Sequence, residues 1–274
     1  MRYRKGTIAL SDSRDYPLLR RVLHCGFATS TQLYEFMRLD YAAAARNAFD
    51  NRLRRLLEHE LLVRQEIRSM DRGVVYSISR AGISEMIAKG EYYAGCLNGV
   101  APPGGHVQHA LELNDIHLAL KRTGILVRWT PESDIRSRNE LTDIGYVKDY
   151  DATVAVRLDD REHRFALEYE RTPKAKRQYQ RIWKRIEAET GLCHFLYLVP
   201  NHDLLSLLVR VFRDCSRQVH FGLRSDFLAD TLSLSVRNNH SPLSTTFRAV
   251  LTARVSSQQG SHRTTTGQPA LFTY

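Results

Sequence analysis

The 274-residue sequence has only four cysteines, Cys25, Cys96, Cys193 and Cys215, far apart and with no CxxC pair. That spacing excludes a disulfide framework and a zinc ribbon, and free thiols in a reducing cytoplasm are the expectation. Long apolar runs are also missing, since none approaches the roughly 18 residues that a membrane span requires. The opening MRYRKGTIALSDSRDY lacks the apolar stretch and small-residue cleavage site of a secretory signal. Walker A, GxGxxG and GxSxG patterns are absent, which leaves nucleotide hydrolysis, dinucleotide redox chemistry and α/β-hydrolase chemistry without support. His106, His109 and His117 share one side of an expected helix, yet no HxxxH or HExxH spacing completes a metal site. Acidic residues disappear from the carboxy end: residues 231–274 hold four Arg and no Asp or Glu.

Hydrophobic residues at 43% and charged residues at 26% are ordinary for a globular chain, and the length suits two modest cores. Forty Lys and Arg against thirty Asp and Glu give a net charge of +10, which favours polyanionic partners. The excess is uneven. Residues 1–90 carry sixteen basic and ten acidic side chains, whereas residues 91–230 carry twenty of each.

The basic front has the periodicity of a winged helix-turn-helix over residues 10–90. A helix from Asp15 to Leu23 ends at Gly26. A second, Thr31 to Met37, is capped by Thr29-Ser30, and a third, Tyr41 to about Glu60, is capped by Asp40. Two strand-like runs, 62–67 and 74–78, flank the turn Met70-Asp71-Arg72-Gly73. Ser79 then caps a helix from Arg80 to Lys89. On the third helix Ala45, Phe49, Leu53 and Leu56 fall on one face and Asn47, Asn51, Arg54 and Arg55 on the other, with Arg46 at the margin. Asn pairs with adenine and Arg with guanine in a major groove, so that face fits the edges of duplex DNA. The hairpin arginines Arg64, Arg68 and Arg72 are placed for the backbone or a minor groove. Asp50 and Glu58 on the same helix dilute the field and keep open a winged helix used only for protein contacts.

Residues 91–105, rich in Gly and Pro, read as a linker. Residues 106–215 then follow the order α-β-β-β-α-β-α: a helix 106–121, strands 125–129, 151–158 and 164–170, a helix 174–189, a strand 193–199 and a last helix from Asp203 to about Asp214. That order predicts a mixed sheet flanked by helices, an α+β chain overall. Residues 231–274 read as a flexible basic tail. Along the helix 174–189, Tyr179, Ile182, Trp183 and Ile186 form an apolar face. Arg177, Arg181, Lys184 and Arg185 form a basic one, with a solvated surface as its first reading and phosphate binding as its second. Cys193-His194 reads as part of a buried strand.

Asp151 begins one strand, and Glu168 and Glu170 lie two apart on the next, so both glutamates share a face that Asp151 can oppose across a hairpin. Three hard carboxylates are a candidate Mg²⁺ site for attack on a phosphodiester. This pattern resembles the PD-(D/E)xK nuclease core, with Asp151 and Glu168-Tyr169-Glu170 as its motif and Glu132 as a further ligand. Tyr150 stands where that motif has Pro, and Glu170 where it has its catalytic Lys. Lys174 or Lys148 would have to reach the site to stabilise the phosphate.

A second resemblance runs through residues 10–215. Tyr76-Ser-Ile-Ser-Arg-Ala-Gly82, His109-Ala-Leu-Glu-Leu-Asn114, Trp129-Thr-Pro-Glu132, Asp149-Tyr-Asp151-Ala and Leu167-Glu-Tyr-Glu170 together resemble the replication-relaxation family of plasmids and mobile elements. The resemblance implies a DNA-associated protein of a mobile or prokaryotic element that joins a winged helix to a nuclease-like domain, and a hydrogen bond from His109 across the domain. The first expectation is a double-stranded-DNA-binding regulator or accessory replication factor with a degenerate nuclease-like domain. The second is a Mg-dependent endonuclease or nicking enzyme using Asp151, Glu168, Glu170 and Lys174. The third is a protein-interaction module. Winged helices on palindromes imply a homodimer, although no heptad repeat marks a seam here.

Overall fold

Apolar residues at helical spacing set the first half of the chain, for which a computed structural model describes residues 8–41, 45–67, 73–91, 104–142 and 145–253 in all. Helix α1 (Asp15–Cys25) buries Leu18, Leu19, Val22 and Leu23, and Gly26 ends it at φ 66°, a left-handed conformation that suits glycine. Helix α2 (Ser30–Asp40) opens with a reciprocal capping box between Thr29 and Gln32. Helix α3 (Arg46–Glu58) buries Phe49, Leu53 and Leu56. Strands β1 (Leu62–Glu66) and β2 (Val74–Ile78) pair antiparallel, and Ala28 bridges to Tyr76 beside them. Helix α4 (Arg80–Ala88) starts at Ser79, whose hydroxyl accepts from the Gly82 amide. These elements enclose one core that includes Leu18, Leu33, Phe49, Leu53, Leu62, Ile83 and Met86. The start of α3 departs from expectation. Asp40 is the last residue of α2, where its carboxylate pairs with Arg21 and Lys121, and α3 begins only at Arg46. Arg68, Arg72 and the body of the 91–105 linker lie outside the described residues.

The rest of the chain builds a seven-stranded sheet. Helix α5 (Gly104–Arg122) is followed by β3 (Leu126–Pro131), α6 (Glu132–Leu141), β4 (Ala152–Leu158) and β5 (Arg161–Tyr169). Then come α7 (Lys176–Ala188), β6 (His194–Val199), α8 (His202–Val211), β7 (His220–Leu223), α9 (Arg224–Ala229), β8 (Ser235–Asn238), β9 (Ser244–Thr246) and α10 (Phe247–Thr252). The strands lie in chain order from β3 to β9, with β5–β6 and β6–β7 parallel and the other pairs antiparallel. Alternation along β4 and β5 divides the core. Val154, Val156, Phe165 and Leu167 face Ile116, Leu120, Phe227 and Phe247 on one side. Ala166, Phe195 and Tyr197 face Tyr150, Tyr179, Ile186 and Phe212 on the other. The mixed α+β expectation holds at this level.

Two stretches differ. Residues 132–141, between the expected strands 125–129 and 151–158, form α6, anchored by the fully buried Ile135. Residues 231–253, expected as tail, complete the sheet and its cover, because polar composition concealed two anchors. Asn239 is buried and its side chain bonds the carbonyls of Phe212, Cys215 and Arg217 and the amide of Val219. Phe247, Val250 and Leu251 of α10 pack into the core beneath β4 and β5. The remainder of that expected tail, 254–274, lies outside the described residues.

Contacts join the two regions. Gln32 donates to the Leu111 carbonyl at 2.8 Å and to Asp115 at 2.7 Å, and Asn114 donates to the Phe27 carbonyl at 2.8 Å. His117 stacks on Trp129 at 4.1 Å and meets Phe36 at 4.9 Å, and its burial holds the imidazole well below its ordinary pKa. It is a neutral packing residue.

Candidate functional site

The strand pair β4–β5 determines which acids meet. Its antiparallel register places Ala152 opposite Leu167, so Asp151, one step before β4, lies across from Glu168. Glu170 follows β5 and continues its parallel ladder, donating to the Leu198 carbonyl at 3.0 Å. All three carboxylates therefore gather at one end of the sheet, and Glu168 and Glu170 are buried.

Each acid has its own cation. The half-buried Lys148 bonds the buried Glu168, and Lys174 donates to Glu170 at 2.6 Å. Two lysines thus reach the cluster, Lys148 from the segment before β4 and Lys174 from the turn before α7. His109, reaching from α5, lies 3.2 Å from Asp151 Oδ2 and 3.1 Å from the Tyr169 carbonyl, and the Tyr169 amide donates to that Asp151 oxygen at 2.7 Å. The expected cross-domain bond of His109 is present.

Burial and charge shape the titration of this cluster. Burial opposes protonation of His109, but the hydrogen bond and charge of Asp151 outweigh it and raise the imidazole to about 9. Burial pushes Asp151 up, yet His109, Lys148 and the Tyr169 amide hold it below the ordinary carboxylate range. Burial raises Glu168, with Asp151 adding to the effect and Lys148 opposing it. Glu170 is likewise raised by burial against the pull of Lys174. Opposed shifts in adjacent groups mark a candidate functional cluster. The Tyr197 hydroxyl, across from Glu168 on β6, is buried without a hydrogen-bond partner among the described residues. Sequence reasoning missed Tyr197, because only the parallel β5–β6 register brings it there.

A divalent cation does not fit this arrangement as it stands. Among the described residues no group of three His, Cys, Asp or Glu side chains is placed to hold a metal. The carboxylates that would serve as ligands are engaged by Lys148, Lys174, His109 and the Tyr169 amide. Glu132, the further candidate ligand, pairs instead with Arg136 on its own helix.

The exposed face of α3 is the second candidate. Asn47, Asn51 and Arg54 are exposed above the buried Phe49, Leu53 and Leu56. Arg54 donates to Asn51 at 2.9 Å and stands 3.9 Å from Glu58. Two expected members are committed elsewhere. Arg55 pairs with Asp15, whose side chain is fully buried, and Arg52 approaches the same acid at 3.3 Å. Arg46 pairs with Asp50 at 3.1 Å and lies over the Tyr34 ring at 4.9 Å. The one-turn spacing of Arg46 to Asp50 is visible in the sequence; the Arg55–Asp15 pair, spanning two helices, is not. Arg64 on β1 is exposed and pairs with Glu66 at 3.1 Å. Cys193, expected in a buried strand, is exposed just before β6 begins at His194.

No family model matches the chain, and no curated protein matches it. Among solved structures it is similar to the restriction endonuclease FokI, at 11% identity and a TM-score of 0.30, over 78% of this chain and 42% of that one. It is also similar to FokI bound to DNA, at 10% identity and a TM-score of 0.26, over 81% of this chain and 45% of that one. The chain therefore spans less than half the length of these structures, and TM-scores at this level do not establish a shared fold.

Proposed function

We propose that residues 10–90 form a winged helix-turn-helix that binds double-stranded DNA. On this reading residues 106–253 form a nuclease-like domain that serves assembly or DNA contact, and the protein acts in the cytoplasm as a regulator or accessory replication factor of a plasmid or other mobile element. The observation that carries the reading is the outward row of Asn47, Asn51 and Arg54 on a helix anchored by Phe49, Leu53 and Leu56. Such side chains offer bidentate bonds to base edges, and the net charge of the same segment supplies attraction to phosphates. A role without cleavage is supported by the individual pairing of Asp151, Glu168 and Glu170. The test is anisotropy on a labelled duplex across a salt series. Binding that weakens steeply with salt is expected. No binding at low salt would leave the winged helix a protein-interaction module.

A second reading rests on Lys148 and Lys174. Cations beside Glu168 and Glu170 are the groups a phosphodiester-cleaving site uses against the charge of a pentavalent phosphate. On that reading supercoiled plasmid incubated with protein and Mg²⁺ or Mn²⁺ becomes relaxed, and Asp151→Ala abolishes the product. Intact supercoiled plasmid at stoichiometric protein retires it.

A further inference from the structure

Helix α7 has two faces of opposite character. Tyr179 and Ile186 are buried against β6 and α8, with Ile182 and Trp183 half-buried beside them. Arg177, Arg181, Lys184 and Arg185 project from the other side and are exposed. None of these four cations, nor Lys176 at the helix start, has an ion-pair or side-chain hydrogen-bond partner among the described residues. That contrasts with α3, where Arg46 and Arg55 are each paired with an acid. The acids at the end of α7 bond backbone amides and form no ion pair with the stripe: Glu187 accepts the Ser216 amide, and Glu189 accepts the amides of Val147 and Gly191.

We infer that this face of α7 is a second nucleic-acid surface, which holds the phosphate backbone of duplex DNA independently of α3. Four cations without a partner among the described residues, on consecutive turns, form a linear positive field. From Arg177 to Arg185 it extends over about 12 Å of the helix, a length along which each DNA strand presents three to four phosphates, about 3.4 Å apart. A membrane surface fits less well, because the apolar residues that would insert are already buried against the sheet. The surface also has a direction. Lys174, which pairs with Glu170, stands two residues before the helix, so a strand following the stripe is led to the carboxylate cluster. Beyond the other end Leu192 lines a groove of about 60 Å³ whose walls carry Arg128, Arg138 and Arg164, the last paired with Glu162 at 2.7 Å. The contacts are to phosphate and carry no sequence preference.

The test is a combined variant of the full chain, Arg177→Gln, Arg181→Gln, Lys184→Gln and Arg185→Gln, measured on duplex DNA across a salt series beside wild type and Asn51→Ala/Arg54→Ala. At about 100 mM salt a loss of at least roughly tenfold is expected. The log–log salt slope should become shallower by roughly three to four, whatever the DNA sequence. Unchanged affinity and slope, with wild type binding, overturn the inference and leave the α3 reading standing. Loss in the α7 variant with none in the α3 variant does the reverse. A second measurement uses wild type alone: duplex DNA should protect Lys184 from amine acetylation several-fold, read by mass spectrometry. No protection, or equal protection by polyglutamate at matched charge, overturns the inference even if the combined variant fails to fold.

Discussion

His109 and Asp151 form an ion pair with Nε2 and Oδ2 3.2 Å apart, although one belongs to α5 and the other to the start of β4. The same imidazole nitrogen lies 3.1 Å from the Tyr169 carbonyl, so α5 is fastened to both strands that carry the acidic cluster. The pair makes a pH prediction. A histidine raised to about 9 in the fold adds stability that is fully present below its unfolded value near 6.5 and is lost as pH rises through 9. The stability gap between wild type and His109→Ala should therefore be widest near pH 6 and narrow towards pH 10. An NMR titration of the imidazole should show a midpoint near 9. A midpoint at or below 6.5 would refute the charged pair.

Lys148 and Glu168 allow a sharper test. Glu168 is buried and Lys148 half-buried, so removing the lysine leaves the carboxylate without its cation in a poorly hydrated place. Lys148→Met should cost about 3–5 kcal/mol in denaturant unfolding, while Lys148→Met with Glu168→Gln should recover most of that loss. Additive losses would mean that the two groups do not sense each other.

Arg54 and Arg55 are neighbours in sequence with different expected phenotypes. Arg55 pairs with the buried Asp15, which also accepts the Ser11 amide at 2.8 Å. Arg55→Ala should lower the thermal midpoint, because it leaves the buried Asp15 with Arg52, 3.3 Å away, as its remaining cation. Arg54 is exposed on both of its contacts, so Arg54→Ala should leave the midpoint unchanged. Its effect should fall on duplex binding, by about 1–3 kcal/mol if it bonds a base edge. Equal melting losses in the two variants would contradict this division of labour.

What the sequence made legible was local. The caps at Thr29 and Ser79, the glycine stop at Gly26 and the two faces of α3 and α7 follow from residues within one or two turns. The pairing of Asp151 with Glu168 was accessible because a hairpin fixes register over a short loop. What stayed hidden was non-local. Asp15 as the partner of Arg55, Tyr197 beside Glu168, and Asn239 as the anchor of the last strands depend on elements that meet only in the finished fold. The structure of residues 231–253 was concealed for the same reason, since β8 and β9 are short and polar and are held by strands that precede them.

Gly82 shows how a residue in a weak sequence pattern acquires a physical reason. It occupies the first turn of α4, where the chain passes under the carbonyl of Leu61 at the entrance to β1. A β-carbon there would overlap the Leu61 carbonyl oxygen and approach the Ile78 side chain to 2.7 Å. The obstacle is backbone, tied down by the Ser79 amide, which donates to that same carbonyl at 3.1 Å. Helix propensity alone favours alanine over glycine by about 1 kcal/mol, and the overlap works in the opposite direction. Gly82→Ala should therefore destabilise the chain by about 1–3 kcal/mol, the usual range for overpacking, despite its gain in propensity. Denaturant melts of Gly82→Ala beside Ala81→Gly decide the matter. If Gly82→Ala is the more stable of the two, the close approach of α4 to the hairpin is not as described.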